Sequence, residues 1–255
     1  MVGCATRTVH ETDDLPPEPE QEEMIESEAR LPLREAPVKT PGGRYVYLTF
    51  DDGPSHNTNR ILDVLAELQI KGTFFFVGDR ILEFEEEDAA KILRRVLDEG
   101  HTIGLHSMSH DAHHLYWSPG AYLNFYNEMR EVQSLIYKLT GGHKTNLYRA
   151  PYGTRSLFTQ NHIKKMINSG MKGWDWNVDT KDWKLTTTAQ ILERVQADMK
   201  ANEYPDNVVV LFHERNVTVQ SLPAVVEYFR NLGYSFLPYH PDNHFPMNFM
   251  YNPDL

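Results

Sequence analysis

The sequence predicts an α/β protein built on a parallel sheet with helices packed around it. From residue 44 onward, short runs rich in β-branched and aromatic residues alternate with segments of helical period, which is typical of successive βα units. Hydrophobic residues make up 40% of the 255 residues, enough for a substantial core. No glycine-rich phosphate-binding fingerprint follows the first strand, which disfavours nucleotide chemistry. This pattern leaves two arrangements open, a closed barrel and an open doubly wound sheet.

Seven strands are predicted in order along the chain. Each is a short run of strand-forming residues bounded by turn-forming or polar residues. The predicted strands cover residues 44–50, 73–77, 102–105, 146–148, 172–178, 208–212 and 234–237.

Six helices are predicted between these strands, from apolar stripes at helical spacing and from residues that begin or end helices. The clearest signals, in chain order, are the stripe Ile61, Leu65 and Leu68; Ile92 and Val96 before the stop at Gly100; Ser118 and Pro119 as N-cap and first turn of a helix ending at Gly141; Ile191, Val195 and Met199; and residues 225–229. No sequence repeat of 20 to 50 residues is visible, so a solenoid is not expected.

Residues 1–41 are predicted to be a disordered, acidic, proline-rich tail or linker, and residues 42–255 a folded domain. The tail has no aromatic residue of the Phe, Tyr or Trp type, and it holds six prolines and ten acidic against four basic residues. Val2, Gly3 and Cys4 resemble the end of a lipoprotein cleavage box, although no apolar segment precedes them. Lipid attachment at Cys4 therefore stays an open alternative.

The charge and cysteine content exclude several classes of function. The formal net charge is −11, so the surface does not favour nucleic acid as a partner. No run of 18 or more apolar residues is present, so a transmembrane segment is not expected. The single cysteine cannot form an internal disulfide. A monomer is favoured.

Unusual side chains follow the predicted strands at their carboxyl ends. In a parallel βα arrangement these ends lie on one face, where the loops build an active site. The residues in these positions are Asp51 and Asp52, His106 and His110, the segment 149–153, Asp179, Asp182 and Trp183, and His213. Loops are polar in general, but that alone does not explain why His, Asp, Arg and Trp are selected at the same end each time.

Four of these residues suggest a metal site. His106 and His110 have the i, i+4 spacing that places two imidazoles on one side of a helical turn. Asp51 and Asp52 supply carboxylates, and two adjacent carboxylates repel each other unless a cation or an arginine neutralises them. A metal ion would do so. Each pattern has an ordinary alternative, because close histidine pairs are common at surfaces and Asp-Asp-Gly-Pro is a good turn sequence.

Five segments resemble, in order, the five motifs of the polysaccharide deacetylases, the NodB-homology or carbohydrate esterase 4 family. The resemblance covers residues 44–239 and is carried by Thr-Phe-Asp-Asp-Gly-Pro-Ser at 49–55, His-x-x-x-His at 106–110, Arg-Ala-Pro-Tyr-Gly at 149–153, Asp-x-x-Asp-Trp at 179–183 and Leu-x-His at 211–213. It implies a distorted (β/α) barrel, one divalent metal ion, and hydrolysis of N-acetyl groups on amino-sugar polymers.

The resemblance also implies a role for each matching residue. The metal ligands would be Asp52, His106 and His110, Asp51 would be the general base, and His213 the general acid. Arg149 would hold Asp51, and Asp182 would hold His213, although Asp179 stays an alternative. The remaining residues would contact substrate: the backbone of Tyr152 in the loop that includes Pro151, and Trp183 and Leu211 around the acetyl methyl group.

The leading interpretation is a metal-dependent N-acetylglucosamine deacetylase of peptidoglycan, located outside the cell or in the cell envelope. Zinc is the first candidate for the metal, with cobalt, nickel and manganese as alternatives. A chitooligosaccharide deacetylase and an acetyl xylan esterase are the nearest variants. Two readings from other classes are a catalytically silent glycan-binding module and a non-haem iron oxygenase with a two-histidine, one-carboxylate triad.

Overall fold

The computed structural model describes residues 39–155 and 157–255, so Cys4 and nearly all of the predicted tail lie outside the described residues. In the described part, eight strands alternate with seven α-helices. The strands are β1 Tyr45–Gly53, β2 Thr73–Phe76, β3 Thr102–Leu105, β4 Leu147–Tyr148, β5 Lys172–Gly173, β6 Val178–Asp179, β7 Asn207–His213 and β8 Ser235–Phe236. The helices are α1 Thr58–Glu67, α2 Gly78–Leu82, α3 Glu86–Asp98, α4 Ala121–Thr140, α5 Gln160–Ser169, α6 Thr188–Ala201 and α7 Asn216–Asn231.

The strands form one parallel sheet that curls into a distorted (β/α) barrel, which confirms the α/β fold class. Their order is β5-β4-β3-β2-β1-β7-β6, and β8 also pairs with β1. The alternating side chains of β1 separate two environments. Val46, Leu48 and Phe50 face the large core shared with the helices, whereas Tyr45 and Tyr47 belong to a smaller cluster with residues of other strands. That second cluster fills the inside of the barrel.

The strand predicted over residues 172–178 is two short strands. β5 pairs with β4 and β6 pairs with β7, at opposite ends of the sheet order. The backbone between them bonds elsewhere: the carbonyls of Trp174 and Asp175 accept hydrogen bonds from Arg149, and the Asp175 N–H donates to Met247. The prediction of one strand was wrong because the backbone of the intervening residues is hydrogen-bonded to the buried side chain of Arg149 and to Met247 in the C-terminal segment.

The helix predicted to start at Ser118 begins at Ala121. A π-helical turn, His113–Trp117, precedes it, and the Ser118 hydroxyl donates to the His114 carbonyl within that turn. Gly120, with φ 76°, takes the N-cap position. The predicted end is confirmed, because Gly141 is the C-cap at φ 72°. Seven helices occur in the described residues against six predicted, and none of them is long and apolar enough to cross a membrane.

Candidate active site

The first two site residues come from neighbouring positions on paired strands. β1 and β7 run parallel in a register that places Thr49 beside Leu211 and Asp51 beside His213. Because side chains alternate along a strand, residues 47, 49 and 51 share the inner face of the barrel. The inner face of β1 therefore carries Tyr47, which packs in the barrel interior, and four residues later the carboxylate of Asp51, which is 3% exposed.

Asp52 leaves this regular pattern. Its φ is 65°, in the left-handed region, and the register between β1 and β2 shifts between Phe50 and Gly53. A side chain at Gly53 would meet neighbours, since an added Cβ would lie 2.3 Å from Glu214 Oε1. Position 53 needs a glycine because of this close approach. The left-handed backbone at Asp52 turns the chain so that two successive carboxylates, Asp51 and Asp52, reach the same site.

His106 and His110 lie in an irregular loop after β3, so the prediction of a helical turn for this pair was wrong. Ser107 at φ 65° and His110 at φ 56° are both left-handed. The Ser107 hydroxyl accepts a hydrogen bond from the His110 N–H at 3.0 Å. The two imidazole rings nevertheless lie 5.1 Å apart, because the loop folds back on itself.

Asp52, His106 and His110 converge as a three-residue cluster whose ligand atoms lie within 4.8 Å of one another. Asp52 Oδ1 lies 3.5 Å from His106 Nε2 and 3.3 Å from His110 Nε2. This oxygen is buried and has no hydrogen-bond partner among the described residues. The His106 Nδ1 bonds to the Arg149 carbonyl at 2.8 Å, which directs its Nε2 lone pair into the cluster. The donor set fits a divalent cation.

The pKa values of two of the three side chains agree with that fit. Burial acts to raise the pKa of Asp52, but the nearby imidazoles of His106, His110 and His213 lower it below its usual range. Burial acts to lower the pKa of His106, but the carboxylates of Asp51 and Asp52 outweigh it and raise that pKa. Burial also lowers the pKa of His110 to about 4. At neutral pH Asp52 is therefore an anion and His110 a neutral imidazole, the forms in which both side chains bind metals.

Arg149 lies inside the barrel and is fully buried. Its Nη1 donates to Asp51 Oδ1 at 2.9 Å and to Thr49 Oγ1 at 2.6 Å. Its Nε and Nη2 donate to the carbonyls of Trp174 and Asp175. Asp51 Oδ2 remains directed at the cluster, 3.7 Å from His106 Nε2. Arg149 thus occupies one oxygen of Asp51 and leaves the other facing the site.

His213 is held by Asp182. Asp182 Oδ1 lies 2.7 Å from His213 Nδ1, and Asp182 Oδ2 accepts bonds from the His213 N–H at 2.6 Å and from the Thr218 hydroxyl at 2.5 Å. His213 Nε2 is then turned towards the cluster, 4.0 Å from Asp52 Oδ2. Asp179 instead pairs with Lys181 at 2.8 Å. Burial lowers the pKa of His213, but the hydrogen bond and charge of Asp182 outweigh it and raise the pKa to about 9.

The four predicted substrate residues are placed differently. Tyr152, at φ 64° and 56% exposed, lies against His110 with ring centroids 4.7 Å apart, and its hydroxyl donates to the His110 carbonyl. Pro151 is buried, and Leu211 is buried in β7 two residues before His213. Trp183 is 52% exposed and directly follows Asp182. Tyr152 therefore contacts the proposed metal ligand His110. Along the sequence, the other three lie within two residues of Arg149, His213 or Asp182.

Two buried glutamates at the site were missed by sequence reasoning. Glu214 follows His213 directly, and burial raises its pKa to about 7. Glu128 lies on α4, and its carboxylate accepts bonds from the loop between His106 and His110. A signal for Glu128 was present, because it falls on the apolar stripe of α4 that includes Phe125 and Val132. An acidic residue at such a core-facing position needs partners.

A distorted (β/α) barrel with a cluster of carboxylates and imidazoles at the carboxyl ends of its strands is an arrangement typical of metal-dependent hydrolases. The family model for polysaccharide deacetylase matches residues 38–174. The chain belongs to the polysaccharide deacetylase family, also known as NodB or carbohydrate esterase 4.

Relatives and solved structures agree with this assignment. A peptidoglycan-N-acetylglucosamine deacetylase from Bacillus cereus is 34% identical over 212 residues, 82% of this chain and 74% of that protein. A chitooligosaccharide deacetylase from Sinorhizobium fredii is 29% identical over 180 residues, 70% of this chain and 76% of that one. The crystal structure of the polysaccharide deacetylase Bc1974 from Bacillus cereus is similar with a TM-score of 0.73 and 32% identity, covering 83% of this chain and all of that one.

Proposed function

We propose that this chain is a metal-dependent deacetylase that removes acetyl groups from N-acetylglucosamine residues of peptidoglycan. The observation that carries the proposal is the placement of Asp51 and His213 side by side, each held by its own partner, at the cluster of Asp52, His106 and His110. The substrate is supported by the Bacillus cereus relative, whose name specifies peptidoglycan N-acetylglucosamine. Such a substrate places the enzyme outside the cell or in the cell envelope.

The cluster would hold one divalent cation, with zinc as first choice. Two imidazoles and one carboxylate also accept cobalt, nickel or manganese. Asp52 Oδ1, His106 Nε2 and His110 Nε2 are the proposed ligand atoms. When bound, the cation lowers the pKa of water towards neutrality and polarises the acetyl carbonyl.

Asp51 acts as the general base. Its Oδ1 is held by Arg149, so its Oδ2 faces the reaction site as an acceptor. In that position it takes a proton from the water that attacks the acetyl carbon. Because Arg149 uses its other donors on fixed backbone carbonyls, Asp51 is held in place before substrate arrives.

His213 acts as the general acid. With its pKa raised to about 9 it carries a proton at neutral pH, and Asp182 on Nδ1 leaves Nε2 as the donating atom. His213 gives this proton to the sugar nitrogen as the C–N bond breaks, which releases acetate and a free amine. Protonation is required because an amide anion is a very poor leaving group.

The remaining predicted residues would shape the substrate site. The Tyr152 backbone N–H would donate to the oxygen that becomes negative in the transition state, a contact that is typically worth about 3 to 4 kcal/mol. The left-handed backbone at Tyr152 and the packing of its ring on His110 support such a fixed orientation. Leu211, Pro151 and Trp183 would enclose the acetyl methyl group.

Acetate release from three substrates tests the proposal. Purified peptidoglycan, chitopentaose and acetyl xylan are each incubated with the protein supplied with zinc, and the acetate is quantified. We expect the highest kcat/KM on peptidoglycan. A preference for chitopentaose would favour the activity named for the Sinorhizobium relative. Release from xylan alone would establish an esterase and would overturn the amidase proposal.

The glycan-binding alternative makes a different prediction for the same assay. A silent module would bind the glycans and release no acetate from any of them. The presence of base, acid and three ligand candidates in one cluster argues against this reading.

A further inference from the structure

Two segments carry the proposed metal ligands: the end of β1, which includes Asp52, and the loop that includes His106 and His110. Each is connected to a buried glutamate outside the ligand set, and Glu128 is 7% exposed and Glu214 6% exposed. Burying a carboxylate is unfavourable unless it accepts hydrogen bonds, so the donors that surround each one indicate what it stabilises. The donors to Glu128 lie between the two histidines, and those to Glu214 lie in the turn between β1 and α1 and at the start of α1.

Glu128 fastens the loop that contains both histidines. Its Oε2 accepts the backbone N–H of Met108 at 3.0 Å and of Ser109 at 2.9 Å, and the Ser109 hydroxyl donates to Oε1 at 2.8 Å. Glu128 projects from the middle of α4, whose neighbouring residues Phe125 and Met129 are fully buried. The loop is therefore bonded to a side chain on a rigid, packed helix.

The backbone conformation of this loop requires stabilising contacts from outside the loop. Ser107 and His110 both have left-handed φ values, which residues with a Cβ adopt at a cost. Conformations of this kind persist only where surrounding contacts hold them. Three hydrogen bonds between these two positions end on one carboxylate, and that carboxylate is Glu128.

Glu214 fastens the turn that follows Asp52. Its Oε2 accepts the hydroxyls of Ser55 at 2.7 Å and of Thr58 at 2.5 Å, and its carbonyl accepts the Asn57 side chain at 3.2 Å. Its Oε1 lies 2.3 Å from the position that a Cβ at Gly53 would take. Asp52 itself has a left-handed φ of 65°. The turn is thus bonded to the residue next to His213.

We propose that Glu128 and Glu214 are positioning residues of the metal site, which hold the His106–His110 loop and the Asp52 turn in the conformation where their three ligand atoms converge. The inference rests on the proposed function, since it assumes that this cluster binds a divalent cation. Neither glutamate touches the reacting atoms. Glu128 acts through the backbone between the two histidines, and Glu214 acts through the turn that follows Asp52, so the loss of either weakens metal binding before it affects the chemistry.

Zinc affinity, measured by competition with a chromophoric chelator, tests this role. Glu128→Met and Glu214→Met keep the length of the side chain and remove Oε2, the oxygen on which the hydrogen bonds of each glutamate converge. A glutamine would be a weaker test, because its carbonyl oxygen could still accept at that position. We expect each variant to bind zinc about 10- to 100-fold more weakly than wild type. Glu131→Met and Glu227→Met are matched controls on the exposed faces of α4 and α7, and their affinities should stay within about twofold.

A second readout separates positioning from a general structural role. At saturating zinc, kcat of both variants should return to the wild-type value while KM for the glycan stays unchanged, because only the ligand geometry has been weakened. If either methionine variant fails to fold, Ser109→Ala and Ser55→Ala remove one donor each. They should weaken zinc binding by about three- to tenfold.

Two results would contradict this inference, and they can be told apart. If wild type binds zinc and the folded methionine variants bind it equally tightly, the positioning role is wrong and the metal site stands. If wild type itself binds no zinc, cobalt, nickel or manganese, the proposed metal site is wrong and the inference falls with it.

Discussion

Replacing Asp182 with asparagine should change the pH dependence of catalysis through His213. The pKa of His213 is raised from 6.5 to about 9, chiefly because Asp182 lies 2.7 Å from its Nδ1 and counteracts the effect of burial. At about 1.4 kcal/mol per pKa unit, this favours the protonated imidazole by about 3.4 kcal/mol. Without the Asp182 carboxylate, burial lowers the pKa towards its ordinary value of 6.5, because it then opposes only the charges of Asp51 and Asp52.

The sign of the effect follows from the role of His213 as an acid. It must be protonated, so activity falls as pH rises through its pKa. At pH 8 the protonated fraction is about 0.9 for a pKa of 9 and about 0.03 for a pKa of 6.5, a loss of about 30-fold. At pH 6 the same calculation gives a loss of less than about twofold. If the substitution also changes the orientation of the His213 ring, the resulting loss of activity is the same factor at pH 6 and at pH 8.

The assay is kcat/KM on one glycan substrate between pH 5.5 and 9.5. Comparing the alkaline limbs of wild type and Asp182→Asn isolates the protonation effect from constant losses. Asp179→Asn is the matched control, because Asp179 pairs with Lys181 and not with His213. An alkaline limb that coincides in wild type and Asp182→Asn, or one that moves in Asp179→Asn instead, would refute the assignment.

Three further predictions follow from the same geometry. Asp51→Asn should leave glycan affinity within about twofold and lower kcat by about 10²- to 10⁴-fold; unchanged turnover would contradict the base assignment. Arg149→Met breaks a fully buried ion pair and should lower the free energy of unfolding, measured in urea, by about 3 to 5 kcal/mol. A loss below about 1 kcal/mol, as for an ion pair on the surface, would contradict this role of Arg149. Dialysis against a chelator should abolish acetate release, and zinc or cobalt added without oxygen should restore it; an oxygen requirement would indicate an oxygenase.

The parts of the site that lie at strand ends could be predicted from sequence. Asp51 and His213 end neighbouring parallel strands, so their meeting follows from topology once the βα pattern is recognised. Five separate segments obey the same rule. This kind of prediction succeeds because the direction of a parallel strand fixes where its last residues lie.

The loop conformations could not be predicted in the same way. The spacing of His106 and His110 fits a helical turn, but the backbone takes left-handed values at Ser107 and His110 instead. These values depend on a remote partner, Glu128, whose carboxylate accepts bonds from the loop. Local spacing does not contain that information, and only the acidic residue on the apolar stripe of α4 indicates it.

The division of the predicted strand 172–178 has a similar origin. Its residues have strand-like composition throughout, but the carbonyls of Trp174 and Asp175 accept bonds from Arg149 in the barrel interior. A buried guanidinium needs several fixed acceptors. Its demand for acceptors is a tertiary effect that overrides local strand propensity.

An anomalous diffraction map of crystals soaked in zinc is the sharpest test of the proposed metal site. We expect a single strong peak bounded by Asp52 Oδ1, His106 Nε2 and His110 Nε2, and the loss of that peak in crystals of His110→Ala. A zinc-soaked crystal with no peak among these three atoms, or with a peak that persists unchanged in the variant, would contradict it.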